Sequence, residues 1–466
     1  MSHAFNAAHR QGLDNGVMKT DPIARVLARF IDGLGYEHLP EEIIPLAKAR
    51  VLDSLGACIA GKDLPWSQMA LSVVQDSQGE ATIVGQDRCY AVRDAAFVNG
   101  VMAHSVMQED SQKAGGHPST IVVPAGLMVA EQLRSSGRQF LVSIVIGYEM
   151  MNRITVGTPA EAGKDGLCAG FRNSTVFGIF GAAAAAAKLM KLSEEQVVHA
   201  IGYAANLAAG LTAGFAAGTM EHMFQAGLAS QNAISAVRIA RSGATASETT
   251  LEGQHGFYRS YAGSIEGIDR VTLDLGKSFA IQDVWSKHYP AAGFNQESIA
   301  LGQELMAKHR IHPSDIQRVV EKSSLKKKGY AGADTRPPYR NVIQALLSGQ
   351  FCLAAALLGK PVSSYRFFYD HYDDPEVAEL SSRIDMVGEE GRTVTRIEIH
   401  LKDGTQHHIE HAATHILVST WDNMEAKFRK LAAGSFPEQR VTEIVDRVRC
   451  LDQVENIQNL THALRG

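Results

Sequence analysis

The feature that most restricts the fold is the stretch from residue 178 to 245, where Ala, Gly and Ser dominate. Small side chains at helix contacts let neighbouring axes approach closely. The stretch opens inside Val176–Leu192, the most helix-prone part of the chain, with Ala182 to Ala187 unbroken. Ser193 with Gln196 three residues later forms a capping box for a helix over Glu194–Leu211, and a further helix covers about 220–242. A packed all-helical domain is expected. The Ala run is too short, and Lys188 follows too soon, to span a bilayer.

Upstream, residues 1–18 read as a flexible tail. Asp21 is expected to cap a helix with Pro22 at its first position and Ile23, Leu27, Phe30 and Ile31 on one face. Pro40-Glu41-Glu42 starts a helix reaching Gly61, and others cover 64–77, 91–106 and Phe140–Val156. A Gly-rich loop, Gly157–Gly170, follows. Beyond Gly263 the pattern changes. Val271–Leu275, Arg318–Glu321 and Asp385–Val387 are β-branched pieces, with helices at about 294–309 and 342–357 between them. Val394–Leu401 alternates and meets a second run, Thr405–His411, through an Asp403-Gly404 turn compatible with type I′. The tail is helical again from Asp422. The expected fold is mainly α with an α+β insertion: a helical domain over 19–265 and 405–466, an α+β lid over 266–404, and a cleft between them.

Composition excludes several classes. With 45 basic against 50 acidic residues the net charge is −5, which makes no case for nucleic acid. Lys326-Lys327-Lys328 reads as a solvated loop. Five cysteines without C-x-x-C spacing, and an N-terminus without an apolar core, fit a cytoplasmic protein with neither disulfides nor a secretory signal. No G-x-G-x-x-G follows a strand, and Gly276-Lys277-Ser278 lacks the leading Gly of a phosphate loop. His407, His411 and His415 recur every four residues without acidic or Cys support, so no metal is expected.

The stretch with chemical promise runs from Ala95 to Glu131. A helical pattern passes through a polar turn and restarts after His117-Pro118, with Gly115 and Gly116 before it and Ser119 or Thr120 as expected cap. That would aim backbone N–H groups and an imidazole at one spot, as an anionic ligand requires.

Several stretches together resemble the MmgE/PrpD family: Val51-Leu52-Asp53-Ser54-Leu55-Gly56 with Ala60-Gly61, Asn99-Gly100 with Ala103-His104, His117-Pro118-Ser119, Gly147-Tyr148-Glu149 with Arg153, and Lys287-His288-Tyr289-Pro290. The likeness covers roughly residues 20 to 430. It implies a homodimer without an organic cofactor, binding a small di- or tricarboxylate between two domains. Family members include methylcitrate dehydratases, cis-aconitate decarboxylases and iminodisuccinate epimerase.

The departures from the family pattern are informative. Its D-F-D-D-T reads Met107-Gln108-Glu109-Asp110-Ser111 here, its F-H-P reads Phe171-Arg172-Asn173, and its T-K-x-x-H reads Glu221-His222-Met223-Phe224-Gln225. The His nine residues after the lid Lys is Gln296. Proton removal beside a carboxylate needs a base and concentrated positive charge. On the resemblance, His117, His222, Lys287 and Tyr148 are the candidate catalytic residues, and Arg172, Ser111, Gln225 and His104 the candidate binding residues. With Met107 in place of the leading acid, elimination loses its best candidate for protonating the departing group, so epimerisation of an iminodisuccinate-like dicarboxylate is the expected reaction. Dehydration or decarboxylation of a methylcitrate- or aconitate-like acid is one alternative, and a non-catalytic carboxylate-binding protein another. Asp53 reads as a structural helix contact.

Overall fold

The computed structural model describes residues 21–112, 116–159, 167–168, 170–413 and 420–466. The expected tail, Gly115, His415 and part of the Gly157–Gly170 loop lie outside these residues.

The fold is mainly α with an α+β region. The first half is helical: α1 Ile23–Gly33, α2 Ile43–Gly61, α3 Pro65–Val73, α4 Val92–Ser105 and α5 Ser119–Leu133. It continues with α6 Gly137–Val156, α7 Asn173–Leu189, α8 Glu194–Leu207, α9 Ala213–Ala217, α10 Glu221–Arg241 and α11 Phe257–Ala262. Two short antiparallel pairs interrupt or brace these helices. One joins β1 Ala81–Thr82 to β2 Cys89–Tyr90, and the other joins β3 Asp110–Gln112 to β4 Val284–Ser286.

Small residues place the helices as their composition predicts. An added Cβ on Gly181 would lie 2.4 Å from the Gly147 carbonyl oxygen, where α6 and α7 cross, and one on Gly227 would lie 2.2 Å from that of Phe97, where α10 meets α4. The capping box forms, with Ser193 Oγ accepting from the Gln196 N–H and Gln196 accepting from the Ser193 N–H.

The second half carries α12 Gln296–His309, α13 Leu325–Gly329, α14 Val342–Leu347, α15 Gly349–Leu357, α16 Tyr365–Asp370 and α17 Pro375–Ser382. Its sheet has the order β6-β5-β7-β8, formed by β5 Ile316–Ser324, β6 Ile384–Glu389, β7 Arg396–Leu401 and β8 Gln406–Glu410. β5 runs parallel to β6 and antiparallel to β7, and β8 closes the hairpin with β7. The chain ends in α18 Trp421–Ala432, α19 Glu438–Arg449 and α20 Gln458–Ala463, with α18 and α19 packed on α2. Lys427 of α18 is ion-paired with Asp53 of α2 at 2.6 Å, so Asp53 is a structural contact. No described helix is long and apolar enough to cross a membrane.

Several local expectations are corrected. Pro22 occupies the cap position of α1, the Ile23 N–H goes to Glu252, and Asp21 pairs with Arg29 instead. Val271–Leu275 is no strand. Among the described residues it has no long strand beside it, and β-propensity is realised only by packing against a partner. A 3-10 turn, Ile268–Val271, takes its place, tied down by Arg270 to the Val156 carbonyl at 2.7 Å. The helix expected over 342–357 breaks at Ser348, whose extended backbone (ψ 121°) ends α14 and whose hydroxyl caps α15 at Phe351. In the β7–β8 turn only Gly404 has positive φ (89°), so the connection is a three-residue loop with Gly at the left-handed position and not type I′. The expected solvated Lys run is helical, with Lys327 buried against Glu321.

Candidate active site

His104 sits in the last turn of α4. Met107 follows with φ at 49°, a reversal uncommon for a side-chain-bearing residue, and the chain turns back into β3. Pairing of β3 with β4 then sets Asp110 opposite Ser286, and the Lys287 N–H donates to the Glu109 carbonyl at 3.2 Å. This register brings Lys287 Nζ to Glu109 Oε1 at 2.6 Å, with both side chains wholly buried. The same carboxylate oxygen lies 3.2 Å from His104 Nδ1 and 3.6 Å from His117 Nδ1.

On the other side of His104, Arg172 donates from Nη2 to Nε2 at 2.7 Å. A guanidinium can only donate, so His104 is the neutral tautomer with its proton on Nδ1, facing Glu109. Arg172 occupies the N-cap position of α7, and its Nη1 donates to the His222 carbonyl at 2.7 Å and to Gln225 Oε1 at 3.0 Å. Its Nε–H and second Nη2–H have no partner among the described residues, leaving one edge of the fork for a carboxylate. Phe215 lies under the guanidinium and against the His222 ring at 4.8 Å.

His117 and His222 are held alike. His117 Nδ1 donates to the Asp110 carbonyl at 2.8 Å and His222 Nδ1 to that of Thr219 at 3.2 Å. Carbonyls only accept, so each ring carries its proton on Nδ1 and has a basic Nε2. Neither Nε2 is hydrogen-bonded among the described residues. The rings of His117 and His222 lie 5.9 and 6.1 Å from that of His104. His117, Arg172, His222 and Lys287 therefore converge on one region around His104 and Glu109.

Burial sets the protonation pattern. It pushes His117 well below the ordinary imidazole range, helped by Lys287, and pushes His222 down likewise, helped by Arg172. Burial lowers Lys287 and His104 too, against the pull of Glu109. Burial by itself would raise Glu109, but Lys287 and the two imidazoles outweigh it and hold this carboxyl well below its usual range. Asp110, next in the chain, is pushed by burial up to about 6, with Arg50 opposing.

The remaining expected residues are placed differently. Tyr148 is fully buried and donates to Asp110 Oδ2 at 2.7 Å. Gln225 is tied to Arg172 and, through Nε2, to the Leu211 carbonyl at 2.9 Å. Ser111 sits on β3 in register with Trp285, and its hydroxyl has no hydrogen bond among the described residues. The expected cap is corrected. Pro118 holds the cap position of α5, Asp110 Oδ1 takes the Ser119 N–H at 3.0 Å, and Thr120 turns to the His117 carbonyl. The helix terminus expected to greet an anion is thus satisfied by the protein's own Asp110.

Glu109 at the centre was not among the expected site residues. It lies five residues beyond His104, and its counterion is far away in sequence, so only its neighbourhood with Asp110 in a polar turn hinted at it. Of the histidine series, His407 stacks on His309 with centroids 4.1 Å apart, while His411 pairs with Glu304 at 3.0 Å. No described group of three or more His, Cys, Asp or Glu could hold a metal ion.

His117 and Arg172 open onto a cleft of about 240 Å³, closed from the other half by Phe294, Lys326, Lys327 and Tyr330. Among the described residues lining it, every ionisable side chain is basic or phenolic and none is acidic.

Residues 25–266 match the MmgE/PrpD N-terminal domain and residues 289–453 the MmgE/PrpD C-terminal domain. The chain is 26% identical to the human cis-aconitate decarboxylase (Homo sapiens) over 96% of each chain. It is 23% identical to the cis-aconitate decarboxylase of Aspergillus terreus over 94% of this chain and 95% of that protein. A cis-aconitate decarboxylase-like protein, oryM, of Aspergillus oryzae (strain ATCC 42149 / RIB 40) is 27% identical, but the match spans only 57% of this chain and 58% of that protein.

Proposed function

The chain belongs to the MmgE/PrpD family, and from that premise we propose that it is a lyase acting on a small di- or tricarboxylic acid. The bond broken lies next to a carboxylate, in a decarboxylation or dehydration that passes through an enolate-like carbanion. The observation that carries this reading is the cleft itself: its charged walls are cationic, and His117 and Arg172 stand at its inner end. The names of the full-length relatives point the same way.

In this reading the free edge of Arg172 holds one carboxylate and fixes the reacting carbon over His117. Lys287 and Arg172 offset the charge that grows on that carboxylate as the carbanion forms. His117, neutral in the free protein, serves as a base for proton removal. A bound polyanion raises its pKa, so the same imidazole can also return a proton to the carbanion once carbon dioxide has left. Glu109 holds the Lys287 ammonium and the two neighbouring imidazoles in place. The case for epimerisation built on Met107 is outweighed in this reading by the full-length relatives, whose names are those of decarboxylases, and protonation of the carbanion by His117 needs no acid at position 107. The division into a helical body and a lid over 266–404 belongs to the same proposal, as does closure of the lid on the substrate.

Epimerisation is kept as a second reading on one observation. His117 and His222 each carry a free Nε2, so one can take a proton from one face of a carbon while the other, once protonated at Nε2 from solvent, delivers a proton to the opposite face. Proton NMR in D₂O with cis-aconitate, methylcitrate and iminodisuccinate separates the two. Loss or gain of alkene signals, or release of carbon dioxide, supports the lyase. Deuterium entering at Cα without net conversion supports the epimerase. His117→Ala should lower either rate by about 100-fold or more. No change in any of the three acids would sink both readings.

A further inference from the structure

Another space adjoins the cleft. A second compartment of about 290 Å³ lies beside it, between β4, the Gly293–Asn295 turn, the end of β5 and the chain after Arg392. Phe294, Ser324 and Lys327 line both spaces, so the two lie side by side with these three residues at their common border. The cleft alone, about 240 Å³, falls short of the roughly 300–1,000 Å³ usual for small-molecule sites, and the two volumes taken together lie within that range.

The polar groups left over in the compartment are donors. Ser323 is 2% exposed, lines the space, and its hydroxyl has no hydrogen-bond partner among the described residues. A buried hydroxyl in that state costs free energy until something satisfies it. Lys327 has three ammonium protons; Glu321 and Ser298, each at 2.5 Å, take two. The third has no partner among the described residues, and Lys327 lies on the border of both spaces. The other charged residues there are already satisfied. Arg392 pairs with Glu389 at 2.6 Å and Glu410 at 2.7 Å, and Glu297 accepts from the Thr395 N–H at 2.9 Å and the Ala413 N–H at 3.3 Å. Gly293 keeps the space open, since an added Cβ would meet nothing nearer than the Trp285 ring at 3.7 Å.

We infer that this compartment receives a second arm of the substrate ending in a carboxylate, so that the preferred acid is a longer polycarboxylate than the cleft alone admits. Lys327 meets the arm where it leaves the cleft, and Ser323 donates to its terminal carboxylate. This rests on the reading of the cleft as a carboxylate site.

Calorimetric titration of the full chain with tricarballylate and with butanetetracarboxylate tests it. The longer acid should bind about tenfold more tightly to the wild type. Ser323→Val removes the donor, and Gly293→Val fills the space from outside β5. Either variant should cut the preference to about twofold or less while tricarballylate affinity stays within about twofold. Equal binding of the two acids by the wild type, or a preference that survives whichever variant folds, overturns the inference while tricarballylate binding keeps the cleft reading intact. Binding of neither acid overturns both.

Discussion

Asp110 makes three connections at once. Its Oδ1 accepts from the Ser119 N–H, its Oδ2 from the Tyr148 hydroxyl, and its carbonyl fixes the tautomer of His117. It does this where burial moves its pKa from 3.8 up to about 6. The folded chain therefore binds a proton here more tightly than the unfolded chain. In that window stability falls as pH rises, because the unfolded carboxyl ionises first. Asp110→Asn keeps an acceptor but cannot ionise. Urea denaturation should show this variant gaining on the wild type by up to about 3 kcal/mol between about pH 4 and pH 6.5. A difference that does not change with pH would refute it. At this scale the sequence was readable where a residue type carries its own chemistry: His117, Lys287, Arg172 and His222 are brought together as expected. Glu109 was not readable, because a carboxylate in a polar turn looks solvated until its distant counterion is known.

Between elements, close approach decides how the imidazoles meet. An added Cβ on Gly100 would come within 2.8 Å of the Gly227 backbone, where α4 carrying His104 lies against α10 carrying His222. Neither glycine has a positive φ, so closeness is what requires them. Gly227→Ala would force the two helices apart, at a cost of about 1–3 kcal/mol. The expected outcome is a lower thermal midpoint together with reduced turnover, since the His104 to His222 spacing would change. An unaltered midpoint would show that the helices can yield without loss. Helices were legible in the chain because 3.6-residue periodicity and caps are local signals. The strand expected at Val271–Leu275 was not, because a strand needs a neighbour that the local sequence does not specify. The break at Ser348 escaped for a related reason: serine as a cap and serine inside a helix look alike until the backbone is seen.

Across the whole molecule the net charge is −5, yet the cleft walls are positive. Its attraction for a polyanion is therefore local and subject to screening. Raising the salt from about 50 to 500 mM shortens the Debye length from roughly 14 to 4 Å, and KM for an accepted acid should rise several-fold with kcat little changed. A KM independent of salt would count against a cationic cleft. The amino-acid sequence by itself determined the helical half, the β7–β8 hairpin, the family and the kinds of side chain available for carboxylate chemistry, because periodicity, capping and motif are written along the chain. Only the tertiary structure decided that Glu109 ties Lys287 to two imidazoles, that Asp110 occupies the α5 terminus, and that a second compartment lies beside the cleft. The first of those features joins residues 178 positions apart, and burial, which sets their charge states, exists only once the chain has packed.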